Sequence, residues 1–286
     1  MNIRALEKNN KMGYIFFITY NGRSFDSFDE IAGKKTIKGE FSTILKILNF
    51  SWAKGIQQAG RTDKNVSANE NILYVSSNFY GDLNKLKNDF NKISKNNLQI
   101  KRIIKTLPNL LIPDLIDKRE YIYAPNKKYI LNSQKTITEL VNDLSGTYDM
   151  SEFTDTKGKL LKNLIREVNI TFDNNSLRFI GNSFLPHQVR IMSSYILSNE
   201  KKLYPGKFLT LDKIYLKNEL QNILFFPINK DAFENNDLID QVEKSFDESL
   251  YIFYIKTGYK GTFIGKNGKN IKTLRKTLGN ILVREI

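Results

Sequence analysis

An α+β fold, with helices on one face of an antiparallel sheet, follows from three features of this sequence. Residues 13–20 form an apolar β-type run that ends on Asn21-Gly22, a strong turn signal. Ile37, Phe41, Ile44, Leu45 and Leu48 then recur at helical spacing and give one buried face. A second β-type run, Ile72–Ser76, is followed by Leu83, Leu86, Phe90 and Ile93, again at helical spacing. Strand, turn, helix, strand and helix in that order describe a helix layer packed on a sheet.

Each element has its own signals. Thr36 reads as the N-cap of a helix over Ile37–Phe50. Leu83–Ile93 is a helix with a lysine-rich outer face. Pro108 and Pro113 interrupt the chain, and Arg119–Tyr123 then alternates as a strand should. A helix at about residues 136–144 ends at Ser145-Gly146. Glu167–Phe172 and Ser176–Ile180 form a hairpin around Asp173-Asn174-Asn175. After Gly181–Pro186 a helix runs from His187 to Leu197, and residues 199–220 read as irregular and charged. Asp237–Phe246 reads as a helix, Leu250–Ile255 as a strand, Ile271–Leu278 as a helix and Asn280–Arg284 as a closing strand.

Composition narrows the function classes. The 286 residues exceed one typical domain, and a hydrophobic fraction of 41% is ample for a packed core. Cysteine is absent, which excludes disulfides and thiolate metal sites. His187 is the single histidine, which argues against a multi-histidine metal centre or a Ser-His-Asp triad; it is read as a structural residue. No run reaches transmembrane length, and residues 1–11 lack a signal-peptide apolar core, so a cytoplasmic protein is expected. The net charge of +14 points to a polyanionic partner. From Lys256 to Ile286 there are eight Lys or Arg against Glu285 alone, a net of +7, so half of the excess sits at one end.

The candidate chemistry lies in residues 58–68. Gly60-Arg61-Thr62-Asp63 sets a glycine, a cation, a hydroxyl and a carboxylate in four residues, anchored by the strand behind them. An opposite charge nearby favours the ionised carboxylate, which could serve as nucleophile or as base. The plain alternative is a surface turn with Asp63 bonded to local amides.

Four pieces in order decide between these. Tyr20–Phe25, Gly60–Asp63, Arg119–Tyr123 and Phe184–Arg190, with the Thr36–Glu40 helix start, resemble the TruA-type tRNA pseudouridine synthases over roughly residues 13–230. The resemblance implies two α+β subdomains, 1–115 and 116–235, that form a central antiparallel sheet with a basic catalytic cleft. It implies Asp63 as the catalytic aspartate, Arg61 as the residue that helps flip the uridine, Tyr121 as the ring that stacks on the target base and Arg190 as the partner of Asp63. It also implies RNA, with tRNA foremost, as partner, a homodimer, and chemistry without a cofactor. The sequence departs from the family at Lys64–Ala68, at Ser27-Phe28-Asp29 and at Leu111–Leu115, which bear on how RNA approaches. A rival reading is a catalytically inactive RNA-binding protein on the same scaffold.

The C-terminal segment resembles a KH module, expected over residues 236–286 with the Asp237–Phe246 helix included. Gly265-Lys266-Asn267-Gly268 matches the Gly-x-x-Gly loop that admits single-stranded backbone to a helix N-terminus. Lys269 and Lys272 follow it, and Gly265 to Lys269 with Lys272 are the expected RNA contacts.

Overall fold

A computed structural model describes residue 6, residues 10–155 and residues 163–286. Most of the N-terminal stretch read above for a leader lies outside these. Among the described residues no helix is long and apolar enough to cross a membrane.

The apolar run becomes β1 (Met12–Tyr20), buried along almost its whole length. Thr36 caps α1 (Ile37–Ile47) by accepting the Gly39 amide. Ile37, Phe41, Ile44 and Leu45 of α1 are buried, each worth about 1.5–3 kcal/mol relative to exposure. The helix stops short of the expected Phe50 because Asn49 turns left-handed (φ 56°), and Phe50 folds back edge-on to Tyr14 at 5.5 Å. β2 (Ala53–Gln58) and β3 (Ser67–Ser77) follow, then α2 (Leu83–Ser94), capped by the Asp82 carboxylate. Next are β4 (Leu98–Thr106), β5 (Ile116–Tyr123), α3 (Gln134–Asp143) and β6 (Gly146–Asp149). The expected hairpin is β7 (Ile165–Asp173) and β8 (Ser176–Gly181), and both Asn174 and Asn175 have the positive φ of a two-residue turn that matches strand twist. α4 (Gln188–Ser198) starts one residue after His187.

Two expectations are corrected. Residues 199–220 are not irregular throughout: they hold β9 (Leu209–Leu216) and the start of α5 (Asn218–Asn222). Asp237–Phe246 is not a helix but contains a strand, β11 (Ile239–Ser245), which follows β10 (Phe225–Ile228). The cause is the same in both. Register shifts next to Gln241 of β11 and against β5 for β9 break the twofold alternation. Ile239 and Val242, and Leu211 and Ile214, are therefore buried three residues apart, so neither segment shows the alternation of a strand, and in Asp237–Phe246 the spacing imitates a helix. The chain ends with β12 (Leu250–Ile255), α6 (Lys260–Ile264), α7 (Lys269–Leu278) and β13 (Asn280–Glu285).

Among the described residues the strands form one thirteen-stranded sheet in the order β13-β12-β11-β10-β4-β1-β3-β9-β5-β8-β7-β6, with β2 on β3. β9 is the seam between its halves. It pairs parallel with β3 through Ser67–Thr210 and Ala68–Leu211, and antiparallel with β5 along most of its length. This pairing brings the loop before β3 beside β5.

The C-terminal strands are buried on both faces. Ile239, Val242, Phe253, Ile255, Ile281 and Val283 pack under α6 and α7 with Phe263 and Ile271. Leu250, Ile252, Tyr254 and Leu282 point the other way and join the main core. There Lys105 of β4 lies 2.8 Å from Glu243 of β11, both side chains 5% exposed. The Tyr254 hydroxyl donates to the other Glu243 oxygen at 2.8 Å, and Gln241 donates to the first at 2.9 Å. A buried ion pair persists only when its remaining sites are bonded in this way.

Candidate active site

The loop between β2 and β3 is fixed from below by a buried polar network. Asn71 of β3, fully buried, donates to the Gly60 carbonyl at 2.8 Å and contacts the Tyr20 hydroxyl at 3.2 Å. That hydroxyl is 2.8 Å from the Thr62 hydroxyl. Gly22 seals the side: a Cβ there would fall 2.0 Å from the Val66 carbonyl oxygen, so no larger residue fits. Its amide donates to the Ser67 hydroxyl at 3.1 Å. Thus Tyr20-Asn21-Gly22 and Gly60-Arg61-Thr62-Asp63 are one packed unit. Asn71→Ala is expected to lower the unfolding free energy by about 1–3 kcal/mol, because the Gly60 carbonyl loses its buried donor. Urea titration followed by fluorescence checks this.

The positions that depart from the resembled pattern have local answers. Asn65 takes φ 65°, left-handed backbone that asparagine tolerates. Lys64 lies 3.4 Å from Asp26, and Asp29 lies 2.5 Å from the Arg61 guanidinium and 3.0 Å from Lys38.

Asp63 opens into a pocket of about 430 Å³ whose walls come from the Gly60 loop, β5, the segment 183–187 and the first turn of α4. That volume suits a nucleoside-sized ligand. Arg190 places Nη1 at 3.0 Å from Asp63 Oδ2, and its Nε donates to the Tyr204 carbonyl at 2.6 Å. Tyr121 forms part of the wall, 7% exposed, with Phe184 edge-on at 5.2 Å. Burial, opposed by the Arg119 cation and aided by the Asp63 charge, pushes its hydroxyl up to about 12, so it is neutral at physiological pH. Arg61 lines the same pocket, but its side chain is largely exposed and is held by Asp29 at the rim. The four residues singled out by sequence therefore line one cavity.

Two further residues belong there. Arg119 donates Nε to the Ala59 carbonyl at 2.9 Å and Nη1 to the Asn182 carbonyl at 2.5 Å, tying the catalytic-candidate loop to the opposite wall. Burial lowers its pKa. His187, given no chemistry above, places Nδ1 at 2.7 Å from Asp63 Oδ2. Its position three residues before Arg190 is the signal that could have found it, since residues so spaced share one face of a helical turn. Among the described residues no group of three or more His, Cys, Asp or Glu side chains is placed to hold a metal.

At the far end, Gly265, Asn267 and Gly268 all have positive φ and form a tight turn between α6 and α7. Lys266, Lys269 and Lys272 are exposed around it. Ile271, Leu274 and Leu278 of α7 pack inward, as their spacing predicts.

Comparison with known proteins bears on both ends. Residues 233–285 match the KH domain family. The chain is 36% identical over 120 residues to the tRNA pseudouridine synthase A of Borrelia duttonii (strain Ly), across 41% of this chain and 45% of that protein. Against the tRNA pseudouridine synthase A of Borrelia garinii subsp. bavariensis, identity is 29% over 230 residues, across 72% of this chain and 90% of that protein. The tRNA pseudouridine synthase A of Picrophilus torridus is 25% identical over 203 residues, across 66% and 72%. The match to the Borrelia duttonii protein thus spans less than half of that relative's length.

Proposed function

We propose that this chain, similar to the tRNA pseudouridine synthases A and carrying a C-terminal KH domain, isomerises uridine to pseudouridine in RNA. The observation that carries the reading is the meeting of Asp63, Arg190 and Tyr121 in one pocket with Arg61 at its rim. The reaction breaks the bond from C1′ to N1 and forms one from C1′ to C5; N1 gains a proton and C5 loses one. Atoms and electrons balance without redox change or cofactor. A stacked uridine cannot undergo it, so the base must leave the helix and enter a pocket. Asp63 sits at the sugar–base junction as nucleophile or base. Tyr121 stacks on the extruded base, and Arg61 fills the space it leaves. Arg190 offsets the charge of a carboxylate in a partly dry cleft.

The names of the relatives favour tRNA as the RNA, and a homodimer is carried over with it. In this reading residues 1–115 and 116–235 make the two halves of the catalytic body, and residues 236–286 grip RNA. The test incubates purified protein with unmodified cellular RNA and maps pseudouridine by carbodiimide labelling and primer extension. New protein-dependent sites are expected. Their absence across total RNA would overturn the reading and favour the non-catalytic RNA binder.

The KH turn is tested through its charges, because Gly265 and Gly268 both need positive φ and an aspartate at either would strain the backbone as well. Lys266→Gln, Lys269→Gln and Lys272→Gln together are expected to weaken RNA binding and to reduce the slope of log affinity against log salt by up to about 2. An unchanged slope in filter binding would remove the turn from the RNA interface.

A further inference from the structure

Two donors converge on a single oxygen of Asp63. His187 Nδ1 lies 2.7 Å and Arg190 Nη1 3.0 Å from Oδ2, while Oδ1 accepts no hydrogen bond among the described residues. An ionised carboxylate only accepts, so a ring nitrogen at that distance must carry the proton. The 3.5 Å approach of Arg190 Nη1 to the same ring nitrogen is then a contact between donors.

The backbone is arranged for this. His187 has φ 63° and ψ −1°, left-handed geometry that residues with a Cβ seldom adopt outside functional sites and turns. Its carbonyl accepts the amides of Arg190 and Ile191, so the imidazole and the guanidinium are set by the same first turn of α4. Both side chains lie in the pocket wall, only 19% and 12% exposed.

We propose that His187 is a positioning residue: together with Arg190 it holds Oδ2 of Asp63 and thereby commits Oδ1 to the substrate. The inference rests on the reading of Asp63 as the reacting carboxylate. One oxygen is engaged by α4 and the other is left to the cavity, so the carboxyl plane is fixed before RNA arrives. This is orientation of the kind whose loss is felt in rate more than in binding.

Because the chain has one histidine, nitrogen-15 histidine spectra contain a single imidazole. The neutral ring is expected to carry its proton on Nδ1; a neutral ring protonated on Nε2 alone would overturn the inference whether or not uridine is turned over. For kinetics, His187→Gly keeps the left-handed backbone without strain and removes the donor, and His187→Asn keeps an amide donor near the place of Nδ1. His187→Gly is expected to lower the single-turnover rate about 10- to 100-fold with half-saturating RNA within about twofold, and His187→Asn to restore most of the rate. A glycine variant as fast as wild type would sink the proposal. Should wild type make no pseudouridine, the reaction assignment fails and the positioning role falls with it, while the imidazole spectrum still reports separately whether Nδ1 donates to Asp63.

Discussion

Asp63→Asn is expected to cut pseudouridine formation by about 10⁴-fold or more while RNA affinity stays within about twofold. The amide keeps the shape of the side chain, so Tyr121, Phe184 and the pocket wall need not move. What disappears is the negative charge on which His187 and Arg190 converge, and with it an oxygen able to add to carbon or take a proton. Arg190 retains its bond to the Tyr204 carbonyl, which should keep α4 in place. Single-turnover assays beside filter binding separate the two effects. Wild-type rates in the variant would dismiss Asp63 from the chemistry; lost binding with lost activity would mean that the substitution had damaged the fold.

The largest stability effect is expected far from the pocket. Lys105→Met should cost about 3–5 kcal/mol, because it strands the Glu243 carboxylate in a nearly dry site. Tyr254 and Gln241 still donate to that carboxylate, but neither offsets its charge. Burial, with the Glu243 charge behind it, holds the Tyr254 hydroxyl pKa well above its ordinary value, so the tyrosine remains a donor and cannot share the charge. Lys105→Met combined with Glu243→Leu should recover most of the loss, since apolar replacement of both partners removes the stranded charge. Urea unfolding of the two single variants and the double variant measures the coupling. Additive losses would show that the pair contributes nothing jointly.

Much of the fold was legible where local signals and burial agree. Thr36 caps its helix, Asn174-Asn175 turns its hairpin, and Phe41 and Phe90 lie on the faces their spacing assigns. The sequence misled where pairing irregularities set the pattern. Leu211 and Ile214 in β9, and Ile239 and Val242 in β11, are strand residues at helical spacing because the register slips. Nothing local to β9 announces that it must pair with β3 and β5; that is a consequence of closing the sheet. The site shows the same division. Asp63, Arg190 and Tyr121 could be named from motifs that match a family. Asn71 could not, because its role depends on the carbonyl of Gly60, eleven residues earlier and across a strand pair. His187 was legible only through its spacing three residues before Arg190; the left-handed backbone that aims it at Asp63 is revealed by no composition.

The unbroken hydrogen bonding from β13 to β3 also decides how an added module can act. A module on a slack tether widens the range of molecules an enzyme can capture. One built into the enzyme's own sheet narrows it. From β12 to β3 there are five interstrand steps, roughly 24 Å at about 4.8 Å each. If one RNA engages both the Gly265–Gly268 turn and the pocket, as proposed, the two contacts are held at a set separation and the protein would choose among its ligands by their length.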